Sequence, residues 1–480
     1  MNLSPNQKAL IAFVGLSLLM RFFSFFPSVM DHDESTYLVI ANEMLQHETL
    51  YVDLIDIKPP GIFLIYALQL LICKSIFFTR FVTALVVAAT AYCLYLSKIQ
   101  AMQQNNSYKV ALSTGFLYIV LCSVFTLYGV SPNTELYFNL FTALGLVLFS
   151  KQNAIYYFLG GLVMGFGFII KYMVLLDFTA FMLFNFVILL LINTSPYKAF
   201  TQILQRGLLA CTGLFLPFIA CHLYYYLSNN FDAYYFITYI APKNYVDEWK
   251  PLHMLQLIGD YYLRFFPISF FFFYTLVKTP YHSERIFAAI WTTFVILAVV
   301  LPGNRFGHYT IQLMLPTAWL AGSFFANNLI RPKWVNTILQ KKIGYPLLIL
   351  FILISCYLQK KECYDKPDIP QQTANYLNAH LKPNQTIYTG NDQQIIYLLT
   401  NQNSPIPYVH RSLLFSKTHI NAINIDTTAQ VNKIIAFNPT YILQQNSLSN
   451  QQLTQFVQNN YVLDQTIGKK IQVFKNKNAN

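Results

Sequence analysis

ALIAFVGLSLLM (residues 9–20), FMLFNFVILLLI (181–192) and YPLLILFILIS (345–355) are three of many apolar runs in this chain, and together they constrain its fold more than any other feature. Crossing ~30 Å of hydrocarbon takes about 20 apolar residues at about 1.5 Å each, and runs approaching that length follow one another up to residue 358. Apolar residues make up 55% of the chain. Soluble domains also approach half, so the arrangement decides the class and the total does not. The chain reads as a polytopic α-helical membrane protein. Its first run has no small-residue cleavage site and leads directly into an acidic segment, so it reads as a span and not as a cleaved leader.

Spans are expected near 9–27, 80–97, 109–127, 136–150, 154–170, 172–193, 206–227, 256–277, 286–302, 311–328 and 344–358. GIFLIYALQLLIC (61–73) is too short for a full crossing and suits an interfacial or re-entrant helix. Charge supports leaving it out. With 61–73 outside the count and the N-terminus cytoplasmic, inner loops collect Lys8, Lys98, Lys109, Lys151, Lys198, Arg206, Lys278, Arg285, Arg331, Lys333, Lys341 and Lys342 against one acid, Glu284. Counting 61–73 as a span would put most of these bases outside, against the positive-inside rule. The rule therefore favours about 11 transmembrane helices, with the first loop and the C-terminal end outside. It also accounts for the net charge of +12 without a nucleic-acid partner, because the bases are scattered among loops.

Past Cys356 the composition turns to Asn, Gln and Thr. Short apolar runs (TIYTG, QIIYLLT, KIIAF, TYILQQ) alternate with helix-like stretches (QQTANYLNAHL, NQQLTQFVQNNY). This reads as a small extracytoplasmic α/β domain over 359–480, following a membrane domain over 1–358. Six of the seven cysteines lie in or beside apolar spans and only Cys363 is in a polar region, so no disulfide framework or metal-type spacing is present.

The first outer loop, 28–79, carries the chemistry. DHDESTYLVIANEM (31–44) and YVDLIDIKPPG (51–61) hold Asp31, Asp33, Glu34, Glu43, Asp53 and Asp56, and with Glu48 between them the segment carries seven of the chain's 20 acids. STYLVIANEML has helical periodicity suited to lying along a membrane surface. Asp33 and Glu34 at its start suit the positive end of a helix dipole, so simple capping is one reading. In KPPG the prolines stiffen the chain after Lys58 and Gly61 lets it turn into the next run. A cation fixed there can hold a phosphate beside a general base, or it can simply snorkel to the interface.

These motifs resemble the first extracytoplasmic loop of membrane glycosyltransferases with the GT-C fold. More narrowly, they resemble family 39, the superfamily of protein O-mannosyltransferases and lipid A aminoarabinose transferases. PNTELYF (132–138), GLVMGFGFIIKY (161–172) and NRFGHYTIQLMLP (304–316) follow in order and extend the resemblance to the tenth span.

The resemblance implies a monosaccharide carried on a polyprenyl phosphate and transferred with inversion to an acceptor hydroxyl or phosphate of lipid A, another glycan or a protein. Transfer would occur at the outer face of a bacterial inner membrane. Asp33 occupies the position of the family's catalytic acid and is assigned the general-base role, with Asp31 as the alternative. A carboxylate there would take the proton of a weakly nucleophilic hydroxyl. Glu34, Glu135, His308 and Tyr309 are candidates for acceptor or sugar contact. Lys58, Arg305 and Lys171 are candidates for the donor phosphate, where fixed cations stabilise the charge gained by the leaving group.

For Glu135 the alternative is a solvated loop end, for Arg305 a topogenic charge, and for Lys171 a snorkelling boundary residue. Arg21 and Asp177, ionisable groups inside spans, belong to a second tier. The tyrosine-rich loop 222–249 reads as an interfacial belt or as a lid, with Lys243 a possible phosphate contact. The cofactor is unknown. Some relatives use a divalent ion and others do not, and His32 beside Asp33 is not enough to predict a metal site. The rival classes are a flippase for polyprenyl-linked sugars, a non-catalytic scaffold, and a ligase using polyprenyl diphosphate. Acids concentrated in an outer loop and the absence of an evident half-repeat count against a transporter.

Overall fold

Ser4 opens the first helix, α1 (Pro5–Arg21), through a reciprocal cap with Gln7, and Pro5 occupies the first turn where its missing N–H matters least. The computed structural model describes residues 3–102, 107–124, 129–151, 153–192, 195–245, 250–326, 330–332, 335–336, 344–391, 393–445 and 447–479. Lys333, Lys341 and Lys342, the ends of spans 109–127 and 311–328, and residues 246–249 of the aromatic loop lie outside the described residues.

The chain is an integral membrane protein whose helices follow the apolar runs. After α1 come α2 (His32–Met44), α3 (Gly61–Ile72), α4 (Ile76–Ala101), α5 (Ser107–Ser123), α6 (Thr134–Phe149), α7 (Ala154–Phe168), α8 (Val174–Ile192) and α9 (Pro196–Leu227). They are followed by the short α10 (Phe231–Tyr235) and α11 (Ala241–Tyr245), then α12 (Pro251–Arg264), α13 (Phe266–Lys278), α14 (His282–Val300) and α15 (Met314–Ala326), with a last apolar helix at Gly344–Gln359. Among the described residues, Pro5–Phe25, Ile76–Ala101, Val174–Leu191, Pro196–Leu227 and His282–Val300 are long and apolar enough to cross a membrane. Gly61–Ile72, Ser107–Ser123, Thr134–Phe149, Ala154–Phe168 and Phe266–Lys278 are shorter apolar helices.

Two expected spans differ in detail. The run 256–277 breaks at Phe265 into α12 and α13, because Pro267 has no N–H to continue the ladder. The run at 311–328 begins as a 3-10 helix, Gly307–Leu313, before α15.

The chain divides into two units. The first comprises residues 1–25, 80–223 and 248–361. Within it α7 and α9 approach closely through small residues. A Cβ on Gly161 would lie 2.0 Å from the Ala210 carbonyl oxygen, and one on Gly213 would lie 2.2 Å from that of Phe158. Arg21 donates to the carbonyls of Cys122 (2.7 Å), Gly129 (2.8 Å) and Val130 (2.7 Å), fixing the approach to α6. Lys98 and Glu284, which the charge pattern places on one side, pair at 3.2 Å, and the Lys98 ammonium lies over the Trp319 ring.

The second unit comprises 26–79, 224–247 and 362–480. Its sheet has the order β1-β2-β4-β3, with β1 (Ile387–Thr389) parallel to β2 (Tyr441–Gln445), and with β4 (Ile471–Asn476) antiparallel to both β2 and β3 (Tyr461–Ile467). TIYTG and TYILQQ supply β1 and β2. QIIYLLT and KIIAF are helical instead. KIIAF ends a helix, Thr427–Phe437, that Asp426 caps at its start and left-handed Asn438 stops.

In this unit α2 is buried along Glu34–Glu43 and does not present one face outward. It is covered by α3, whose Phe63 and Tyr66 meet Tyr37 edge-on, and by the helix Ile395–Thr400. Gln394, just before that helix, donates to the His32 carbonyl and the Thr36 hydroxyl, both at 3.1 Å. At 12 residues α3 spans only about 18 Å. Its Leu64, Leu68 and Leu71 form an exposed apolar stripe suited to a lipid interface.

Candidate active site

The sequence candidates fall into two clusters, one in each unit. In the second unit, Asp31 is extended and caps α2, its carboxylate accepting from the Asp33 N–H at 3.3 Å. The cap occupies Asp31 structurally and sets Asp33 in the first turn. Asp33 Oδ2 lies 3.3 Å from the Lys58 ammonium and accepts from the Tyr37 hydroxyl at 3.3 Å. The Asp33 and Lys58 side chains are 23% and 29% exposed, so solvent and ligands can reach the pair.

Lys58 is held from several sides. Its N–H donates to Asp56 Oδ1 at 3.0 Å, its ammonium lies 4.0 Å from the same oxygen, and it sits over the Tyr37 ring at 5.1 Å. Glu34, next to Asp33, is buried within α2.

This cluster contains groups that the sequence reading did not single out. Asp56 and Tyr37 hold Lys58 and Asp33. From the C-terminal segment comes His419, on the helix Lys417–Ile423 that packs against α11. Burial brings the His419 imidazole down to about 4; His410 and Lys58 push the same way, and Asp33 opposes them. More than 350 residues separate His419 from Lys58, and no local motif marks it.

In the first unit, Glu135 stands in the first turn of α6, fully buried, and forms an ion pair with Lys171. Thr134 Oγ1 donates to its other oxygen at 2.9 Å. The Lys171 ammonium lies 3.7 Å from the centroid of the Tyr309 ring, and the His308 ring meets Tyr309 edge-on. Glu135, Lys171, Tyr309 and His308 thus form one chain of contacts, which brings a residue assigned to the donor phosphate together with three assigned to sugar or acceptor. Arg305, on the exposed loop three residues before His308, bonds Gln256 on α12 at 3.2 Å.

Asp177 bridges elements of the first unit. Its oxygens accept from Trp291 Nε1 on α14 (2.6 Å) and from Gln312 Nε2 (2.5 Å) in the 3-10 helix that carries His308 and Tyr309. Among the described residues no three His, Cys, Asp or Glu side chains gather as a metal site.

No family model matches the sequence, and no curated protein does. The structure is similar to the crystal structure of ArnT from Cupriavidus metallidurans in the apo state, with TM-score 0.67 at 12% identity over 97% of each chain. It is also similar to the apo oligosaccharyltransferase of Archaeoglobus fulgidus, with TM-score 0.55 at 11% identity over 98% of this chain and 74% of that one. At such identities the likeness is one of fold, and that fold is GT-C.

Proposed function

We propose that this protein is an integral membrane glycosyltransferase that moves a monosaccharide from a polyprenyl-phosphate donor to an acceptor hydroxyl or phosphate, with inversion. The observation that carries the reading is the half-open Asp33–Lys58 pair at the start of α2, a carboxylate and an ammonium 3.3 Å apart on a chain with the GT-C fold. Asp33 takes the acceptor proton as the acceptor oxygen attacks the anomeric carbon. The bond from that carbon to the donor phosphate breaks on the opposite face, and the polyprenyl phosphate leaves with the electron pair. Lys58, Lys171 and Arg305 are assigned to the charge that develops there. Glu34, Glu135, His308 and Tyr309 are assigned to sugar or acceptor contacts.

Residues 1–358 form the catalytic membrane domain in this reading, and 359–480 an extracytoplasmic domain that helps admit a lipid, glycan or protein acceptor. The membrane is a bacterial inner membrane, with the N-terminus cytoplasmic and the site outside.

The deciding experiment incubates the detergent-solubilised protein with labelled monosaccharides on synthetic polyprenyl phosphates and a membrane-lipid extract as acceptor pool. Turnover of one donor, with label appearing in an acceptor, is the expected result. Carrier-lipid movement in liposomes without turnover of any donor would replace the enzyme by a flippase.

A further inference from the structure

We propose that Tyr51 is a positioning residue that ties the aromatic segment 225–239 to Lys58; its functional side rests on Lys58 as a donor-phosphate contact. Tyr51 has a left-handed backbone, φ 72. A residue with a Cβ adopts that conformation only where its surroundings hold it, and such residues gather at functional sites.

Both ends of the side chain show what holds it. The buried ring packs on Tyr225 and Tyr234, with centroids 5.5 and 5.7 Å away. Those two rings stack on each other at 4.3 Å with planes 5° apart. The Tyr234 hydroxyl continues to that of Tyr239 at 3.1 Å, across a π-helical turn at Phe236–Ile240, an irregularity that recurs at functional sites.

At the other end, the Tyr51 hydroxyl donates to the Lys58 carbonyl at 2.7 Å. The Lys58 peptide is therefore gripped on both sides, at its N–H by Asp56 and at its C=O by Tyr51. The two prolines that follow have no N–H with which to anchor this turn. A displacement of 225–239 is transmitted through Tyr51 to the backbone that aims the Lys58 ammonium.

The test uses the full-length protein in detergent. Tyr51→Phe keeps the ring packing and removes the hydroxyl, while Tyr234→Leu disrupts the stack and keeps the hydroxyl. Without any ligand, hydrogen exchange across 52–58 is expected to accelerate in both variants. Unchanged exchange there in either variant overturns the coupling.

Binding of a sugar-free polyprenyl monophosphate is then measured for wild type, Tyr51→Phe, Lys58→Gln and the double variant. Loss of one neutral hydrogen bond predicts about fivefold weaker binding for Tyr51→Phe. Because Tyr51 acts through Lys58, that factor is expected to shrink below about twofold in the Lys58→Gln background. An equal loss in both backgrounds, as from a general structural defect, or no loss in either, overturns the proposal. If wild type binds no polyprenyl phosphate, the phosphate reading of Lys58 fails, and hydrogen exchange alone still decides whether Tyr51 couples the two segments.

Discussion

Replacing Asp33 by Asn separates chemistry from folding more cleanly than any other single change in this protein. The variant keeps the size of the side chain and an oxygen to accept from the Tyr37 hydroxyl, and it removes the charge opposite Lys58. Because the two side chains are 23% and 29% exposed, the lost pair is partly screened. Such pairs contribute at most about 1 kcal/mol, so the melting temperature is expected to fall by no more than ~4 °C. Loss of a general base lowers turnover by about 10²- to 10⁴-fold, roughly 3 to 5 kcal/mol of transition-state stabilisation.

The assay is the initial rate of labelled-sugar transfer at saturating donor, with donor binding and thermal unfolding measured on the same preparation. Asp31→Asn is the matched control. Asn caps a helix as well as Asp, so the 3.3 Å cap to the Asp33 N–H survives and turnover is expected within about threefold of wild type. A folded Asp33→Asn protein that turns over within tenfold of wild type would refute the assignment. So would an Asp31→Asn variant that loses more activity than Asp33→Asn.

Lys171→Met strands the fully buried Glu135 carboxylate and is expected to destabilise the protein by about 3 kcal/mol or more. Adding Glu135→Gln should recover much of that in thermal unfolding without recovering turnover. Stability against pH reports on two groups of opposite sign. Burial holds Glu43 up at about 7, above its ordinary 4.5, so the folded state binds an extra proton and stability falls as pH rises from about 4.5 to about 7. The effect is at most about 3 kcal/mol. His419, brought down from 6.5 to about 4, loses stability as pH falls from about 6.5 to about 4. Melting curves of Glu43→Gln are therefore expected to show stability rising with pH across that range relative to wild type, and those of His419→Gln the reverse; parallel curves for all three proteins would contradict both. Gly161→Ala drives a methyl against the Ala210 carbonyl oxygen and is expected to cost about 1–3 kcal/mol, while Gly15→Ala, inside α1 with nothing within 4 Å, is expected to leave the melting temperature equal or slightly higher.

The sequence alone determined what depends on local pattern. Apolar run length marked the membrane helices, since the thickness of hydrocarbon sets a minimum that loops cannot meet. Acids clustered beside KPPG marked the loop that holds Asp33 and Lys58, whereas the contact of Tyr309 with Lys171 was not legible in the sequence. Strand or helix was less legible in the C-terminal segment. KIIAF and TYILQQ have similar apolar content, and capping by Asp426 and the left-handed stop at Asn438 made the first of them helical. What only the tertiary structure decided is which distant residues share a surrounding. Asp177 reads as a buried charge in a span and proves to tie Trp291 to Gln312. Tyr51 reads as one tyrosine among 34 and proves to join a segment more than 170 residues away to the Lys58 carbonyl. Periodicity reports which face of an element is apolar. It carries no record of which other element covers that face, because burial rewards any apolar partner of the right shape, and the choice among partners is made by packing over the whole chain.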